Sequence, residues 1–363
     1  MIPFKLNRIC TIMEPEAGNE YEVEGVLNPA VTRGPDGELY IFPRLVAKDN
    51  YSRIGIGKVK FNADGDPFEV ERLGIALEPE MDYEKRPDGG GGCEDPRISY
   101  VKSVENYIMT YTAYGPEGPR IAMAKSKDLL SWERLGLVCF SLYKPLDFNN
   151  VDDKDASFFP TDLPSPHNHT SIAMLHRPLF PESIPEKTVK LDDNRSIDQH
   201  RESIWISYFN LKEGQETCLE HAQFTSHYRL AQPVYPWEKL KIGAGAPPIL
   251  TKHGWLMIYH GVRKHNDCTE DQPRYTYSAG VMVLSENSPQ EIIYRSPEPI
   301  LVPELEDETI GIVGNVVFPT GTDRRDDIGQ PERIDVYYGM ADNRIGVAKM
   351  TIPDVLPKYW KSL

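Results

Sequence analysis

The sequence predicts an all-β protein, specifically a five-bladed β-propeller, from two observations. The first is repetition. Arg53-Ile54-Gly55-Ile56-Gly57, Arg120-Ile121-Ala122-Met123-Ala124 and Arg344-Ile345-Gly346-Val347-Ala348 are variants of one strand, each following an aromatic-rich strand after a short connection. Glu71-Arg72-Leu73-Gly74 and Glu133-Arg134-Leu135-Gly136 recur downstream of the first two and close the same unit twice. The second is periodicity. Aromatic and β-branched residues alternate with period two, and convincing amphipathic helices longer than about ten residues are missing. Strand, turn, strand, turn, strand is the pattern of a propeller blade, and five blades of roughly 73 residues fit the chain. A two-sheet sandwich is the alternative, although it would not require the repeated strand.

In chain order, the clearest strands are Leu39-Tyr40-Ile41-Phe42, Tyr107-Ile108-Met109-Thr110-Tyr111, Ile204-Trp205-Ile206-Ser207-Tyr208-Phe209, Trp255-Leu256-Met257-Ile258-Tyr259 and Ile334-Asp335-Val336-Tyr337-Tyr338. Segments beginning near Leu39, Tyr107, Ser171, Trp255 and Ile334 supply the inner or second strand of each blade. The 31 prolines and 27 glycines are spread throughout, as many short strands joined by turns require. Residues 141–169 and 181–202 lack periodicity and read as loop insertions in a single catalytic domain spanning 1–363. In a propeller such loops shape the mouth of the central channel.

With a net charge of −15 and no compensating basic cluster, the chain is a poor partner for nucleic acid or an anionic membrane. No stretch reaches the roughly 18 apolar residues of a membrane span, and the first residues do not read as a signal peptide. The five cysteines are scattered and never form a C-x-x-C pair, which fits reduced thiols in a cytoplasmic protein and argues against a zinc site. No His, Asp and Glu cluster has metal-ligand spacing, so neither a metal nor another cofactor is expected.

The most unusual segment is Gly89-Gly90-Gly91-Gly92-Cys93-Glu94-Asp95-Pro96-Arg97-Ile98. Four glycines let the backbone approach a ligand closely. Two carboxylates, a rigid proline and a guanidinium follow, and Asp95 at a channel mouth would make a general acid. The same residues also suit a glycine-rich turn with a solvated Glu94-Asp95 pair. Other polar groups recur at strand ends: Asn28, Arg44, Asp155 beside Lys154, His221 after Glu220, His260 after Tyr259, Glu308 and Asp342. Singly each suits a turn. Together, one or two per repeat, they describe a polar ring around a channel. The tyrosines near them, among them Tyr338, suit either strand core or stacking on sugar rings.

These motifs resemble glycoside hydrolase family 130, the β-mannoside phosphorylases and related β-mannosidases. The resemblance rests on Asn28-Pro29-Ala30, Phe42-Pro43-Arg44, Gly92-Cys93-Glu94-Asp95-Pro96-Arg97, Lys154-Asp155-Ala156, His176-Arg177-Pro178, Lys241 to Pro248, Tyr259-His260-Gly261-Val262, Gly314-Asn315-Val316-Val317-Phe318 and Tyr337-Tyr338-Gly339-Met340-Ala341-Asp342. It implies a five-bladed propeller and an inverting phosphorylase that converts a β-mannoside and inorganic phosphate, its co-substrate, to α-mannose 1-phosphate. It further implies that Asp95 is the proton donor, acting through a hydroxyl of the mannosyl unit, and that Arg44, Lys154 and His221 hold phosphate. Asn28, Arg53, Asp155, Glu308 and Asp342 are implied as sugar contacts, and Glu94, Arg97, His260 and Tyr338 are placed with them as substrate-binding candidates.

Phosphate is already an anionic nucleophile, so phosphorolysis needs a clamp of cations and one acid. An inverting hydrolase needs a second carboxylate roughly 6.5–9.5 Å from the first to activate water. An exo-β-mannosidase using water is therefore the alternative, and a non-catalytic sugar-binding propeller the third reading. Two features depart from the family pattern. The further arginine of the clamp has no counterpart in Leu142-Tyr143-Lys144-Pro145-Leu146-Asp147-Phe148. The insertion at 181–202 also ends near Glu202, a carboxylate that could activate water. Association into a homo-oligomer is compatible with the acidic composition.

Overall fold

The computed structural model describes residues 3–144, 146–167, 169–180, 202–212, 217–265 and 274–358. Its strands form five antiparallel blades around one axis. Blade I is Gly25–Arg33, Leu39–Ala47, Tyr51–Phe61 and Pro67–Leu77. Blade II is Gly91–Val101, Asn106–Gly115, Gly118–Ser126 and Glu133–Leu137. Blade III is Asp152–Phe158, Thr170–Leu179, Ile204–Asn210 and Gln223–Ala231. In blade IV the first strand is broken into Lys241–Ala244 and Ile249–Thr251, followed by Gly254–Lys264, Tyr275–Leu284 and Ile292–Arg295. Blade V is Val317–Arg324, Arg333–Met340 and Arg344–Thr351, and its fourth strand is the N-terminal Asn7–Met13, so the two ends of the chain close the ring.

The five predicted segments all fall on strands. One insertion differs from its prediction: residues 141–169 contain the first strand of blade III. Its polar sequence, Asp152-Asp153-Lys154-Asp155, hid it, because Asp152, Lys154 and Asp155 face the channel cavity, while only Ala156 and Phe158 at its end join a core. Of the insertion at 181–202, only Glu202 falls within the described residues.

The hydrophobic core is divided five ways, as a closed ring demands. One cluster lies between blades I and II (Phe42, Ile54, Met109), one between II and III (Ile108, Phe158, Trp205) and one between III and IV (Ile206, Tyr259, Met282). The fourth lies between IV and V (Ile258, Val281, Val336), and the fifth joins V back to I through Val26, Ile41, Ile345 and Val347. The repeated Arg-Ile-Gly-Ile-Gly strand is the third strand of blades I, II and V.

The repeated Glu-Arg-Leu-Gly has a structural meaning. Arg134, on the fourth strand of blade II, reaches the buried Glu84 (Nε to Oε1, 3.0 Å), which also accepts from Tyr111 Oη at 2.5 Å and from the backbone N–H groups of Glu80 and Met81. Blade IV repeats this clasp with Glu238, Tyr259, Arg295 and the N–H groups of Val234 and Tyr235. Blade V repeats it with Glu308, Tyr338, Arg8 and the N–H groups of Glu304 and Leu305. Blade I keeps its Glu22–Arg72 pair at 2.9 Å. Each clasp pins the turn that leads into a blade to that blade's outer strand.

Blade III is locked differently. Asp153 Oδ2 lies 2.7 Å from His176 Nδ1, His176 Nε2 lies 2.8 Å from Ser207 Oγ, and Ser207 Oγ lies 2.8 Å from His227 Nδ1. Burial, with His176 alongside, lowers His227 to about 4, so it is neutral. The row contains Asp, His and Ser, but its serine is buried between two imidazoles and lies away from the channel cavity, so it braces the sheet.

Because removing one partner of a buried ion pair leaves an uncompensated charge, Arg134→Met is expected to lower the unfolding free energy by about 3–5 kcal/mol. Combining it with Glu84→Gln should recover part of that loss. Urea unfolding of the two variants checks both expectations.

Candidate active site

Three consecutive blades use the same device to turn a polar side chain into the channel. In blade I the register jumps from Leu27↔Arg44 to Ala30↔Phe42, in blade II from Glu94↔Thr112 to Arg97↔Thr110, and in blade III from Lys154↔Arg177 to Ser157↔Leu175. Two residues thus oppose one, which is a β-bulge, a feature that re-aims side chains. The bulged residues Asn28, Asp95 and Asp155 have φ of 44°, 47° and 56°. Asn and Asp visit this left-handed region at about 1–2 kcal/mol. Asp342, in the turn between the second and third strands of blade V, joins them at 51°.

These four residues face one cavity of about 320 Å³, together with Arg44, Lys154, Arg177, Glu202, Lys241, His260, Tyr277 and Phe318. Asn28 Nδ2 donates to Asp95 Oδ1 at 2.9 Å, and Arg44 Nη1 lies 3.4 Å from the same oxygen. Arg44 Nη2 also binds Glu94 Oε1 at 2.9 Å, and Lys154 Nζ lies 3.7 Å from Glu94 Oε2. Burial would raise the Asp95 carboxyl, but Arg44, Arg97, the Asn28 hydrogen bond and Lys154 outweigh it and hold it below the usual carboxylate range.

Asp155 is fully enclosed. Arg97 Nη2 reaches its Oδ1 at 3.2 Å, and Arg177 Nε reaches its Oδ2 at 2.5 Å. Gly243 leaves room for it, since a Cβ there would stand 2.1 Å from Asp155 Oδ2 and 2.4 Å from His260 Cε1. Burial lowers His260 to about 3 against the opposing pull of Asp155, with Arg177, Lys241 and Arg97 adding to the lowering, so it is neutral. Neither of its ring nitrogens has a hydrogen-bond partner among the described residues, which leaves both for a ligand.

In the same cavity, Arg177 and Lys241 flank Glu202. Glu202 pairs with Arg177 Nη1 and lies 3.6 Å from Lys241 Nζ. Burial, together with Arg177 and Lys154, lowers the Lys241 ammonium to about 8 despite the opposing pull of Asp155. Such a crowd of cations in an enclosed site favours an anionic ligand.

The structure brings Asn28, Arg44, Asp95, Lys154, Asp155, His260 and Asp342 together at the cavity, with Glu94 and Arg97 directly behind it. It does not bring His221 there. That side chain is 91% exposed beside Glu220, in a turn preceding the outer strand of blade III, away from the axis. Arg53 lies outside the cavity lining, held by Glu78 at 2.7 Å and by the rings of Tyr21 and Tyr51. Glu308 and Tyr338 are buried in the blade V clasp. The cationic side chains assigned no role from sequence are Arg177 and Lys241. Both stand in stretches that carry the family resemblance, and the fold makes Arg177 the cross-strand partner of Lys154. Among the described residues no group of three or more His, Cys, Asp or Glu side chains could hold a metal ion.

A propeller whose axial cavity sets carboxylates beside several cations suits a polar ligand and an anion. The chain is a member of glycoside hydrolase family 130: residues 6–359 match the profile described as beta-1,4-mannooligosaccharide phosphorylase. It is 31% identical over 360 residues to a 1,2-beta-oligomannan phosphorylase from Thermoanaerobacter sp., covering 97% of this chain and 99% of that one. It is 38% identical over 303 residues to a beta-1,4-mannooligosaccharide phosphorylase from Ruminococcus albus, covering 83% and 75%. The fold is similar to that of the solved beta-1,2-mannobiose phosphorylase from Listeria innocua, with TM-score 0.68, 22% identity, and 96% and 97% of the two chains covered.

Burial pushes Asp342 up to about 6, with Asp95 and Glu94 adding to the effect and Arg44 opposing it. The folded-state pKa lies above the unfolded one, so this group's contribution is full below about pH 4 and is lost as pH rises through 6. Asp342→Asn should therefore be more stable than the parent above pH 6, by up to about 3 kcal/mol. The difference should shrink toward pH 4 in thermal unfolding measured across that range.

Proposed function

We propose that the protein is an inverting β-mannoside phosphorylase, forming α-mannose 1-phosphate from a β-mannoside and inorganic phosphate. The observation that carries this reading is the convergence of Arg44, Lys154, Arg177 and Lys241 on the cavity that holds Asp95. The activities of the relatives support it, as does family membership.

In this reading a phosphate oxygen attacks C1 from the face opposite the leaving group, and the C1–O glycosidic bond breaks. Asp95 supplies the proton to the departing oxygen, through a mannosyl hydroxyl where it does not reach directly. The proton that the phosphate monoester sheds then returns to Asp95, so acid and charge are restored. Among the protein's own groups Asp95 is an ion held by Arg44, Arg97 and Lys154. Phosphate bound among the cavity cations adds negative potential that opposes their hold, so the acid becomes protonated when the nucleophile is in place. Asn28, Asp155, His260 and Asp342 are the polar groups available to sugar hydroxyls, and Tyr277 and Phe318 offer apolar faces. One observation favours a second reading, an exo-β-mannosidase: Glu202 faces the same cavity and could activate water.

Incubation with β-1,2- and β-1,4-mannobiose, with and without phosphate, separates the two. Formation of α-mannose 1-phosphate only with phosphate is expected, and mannose released equally fast without it overturns the proposal. Asp95→Asn should lose about 10³-fold in kcat. The KM for phosphate should rise above about pH 8, as Lys241, facing Arg177, Lys154, Asp155 and Glu202, loses its proton.

A further inference from the structure

We propose that Glu202 is a built-in competitor of phosphate: its carboxylate occupies Arg177 and Lys241 while the cavity is empty and sets how tightly the anion binds. The inference rests on the phosphorylase reading.

The geometry divides the cavity cations into two groups. Arg44 is committed on several sides, to Ser52 Oγ at 2.9 Å, to Glu94 and to Asp95, and Lys154 leans on Glu94 and the ring of Tyr114. Arg177 spends its Nε on Asp155, which is itself shared with Arg97. What remains is Arg177 Nη1 and the ammonium of Lys241, which come from neighbouring blades. Of the cavity carboxylates, Glu202 alone pairs with both among the described residues.

Its position is fixed by backbone rather than by chance contact. Ile242 N–H donates to Glu202 O at 3.1 Å, which lays the start of blade III's third strand along the first strand of blade IV. The side chain thereby spans the gap between Arg177 and Lys241. It is 17% exposed and Lys241 23%, so both face the cavity rather than bulk solvent.

A phosphate dianion entering this gap seeks the same N–H groups. Two anions cannot share them at contact without strong repulsion in an enclosed site. Phosphate must therefore displace Glu202, and its observed affinity is its intrinsic affinity less the cost of breaking these ion pairs. Glu202 thus acts on phosphate directly, through its ion pairs with Arg177 and Lys241, whereas its link to the sugar-facing Asp155 runs through Arg177.

The test is Glu202→Gln, which keeps size and removes charge, with Glu202→Ser as a second variant should the amide perturb folding. The KM for phosphate is expected to fall about three- to tenfold, with the KM for the mannoside changing less than twofold. Calorimetric titration of the sugar-free protein with inorganic phosphate should show the same factor. Phosphate affinity that is unchanged or weaker in variants with parental thermal stability overturns the inference while leaving the phosphorylase reading intact. If instead the parent protein turns over equally fast without phosphate and Glu202→Gln abolishes that turnover, both fail and Glu202 is the base of a hydrolase.

Discussion

The site depends on the buried carboxylate of Asp155. It accepts from Arg97 of blade II and Arg177 of its own blade, and it lies 3.7 Å from His260 of blade IV. Arg97 also donates to the backbone oxygens of Asp95 and Gly245. One ionised group therefore fixes the bulge that aims the acid, the strand break of blade IV and the orientation of Arg177. Enclosed as it is, Asp155 would favour its neutral form without these cations, and they hold it well below the usual carboxylate range. An amide or a protonated acid at this position could not satisfy both guanidinium groups. The framework and the electrostatics of the cavity are thus the same set of contacts.

Rigidity around this centre comes from the periphery. The Glu–Tyr–Arg clasps of blades II, IV and V hold each entry turn to an outer strand, and the Asp153–His176–Ser207–His227 row does the equivalent work in blade III. That row is adjacent in sequence to Lys154, Asp155 and Arg177, so the sheet that presents the cationic side of the cavity is braced from behind. The left-handed residues at the channel cost about 1–2 kcal/mol each. Such strain persists where the surroundings over-determine it, and five interblade cores supply that constraint.

The legible part of this design is local. Repeated strands and alternation point to the propeller over a sandwich, whereas the bulges at Asn28, Asp95 and Asp155 depend on strand register and show only in the fold. The illegible part is non-local. Glu308 and Tyr338 look like site residues because they sit in polar, aromatic stretches near strand ends. Whether such a group faces the channel or a clasp is decided by Arg8, which lies 300 positions from Glu308 and reaches it only because the N-terminal strand closes the ring. His221 fails for a related reason: it is itself left-handed, in the turn before the outer strand of its blade, where its side chain meets solvent. Arg177 and Lys241 belong to matched stretches, but their roles emerge only once blades III and IV are set side by side.

In the proposed reaction an acid and an anionic nucleophile share the cavity, and its charge balance explains how. Among the described residues the cations are matched to carboxylates: Arg44 to Glu94 and Asp95, Lys154 to Glu94, Arg177 to Asp155 and Glu202, and Lys241 to Glu202. Asp342, which burial raises to about 6, is the carboxylate least supported by cations. A phosphate dianion adds two negative charges to this balance, and the enclosed site tolerates them if carboxylates take up protons or move away. In the proposed reaction Asp95 would then lose the positive potential that kept it ionised, and the neighbouring negative charge of Asp342 would push its proton affinity the same way, so that binding the nucleophile arms the proton donor.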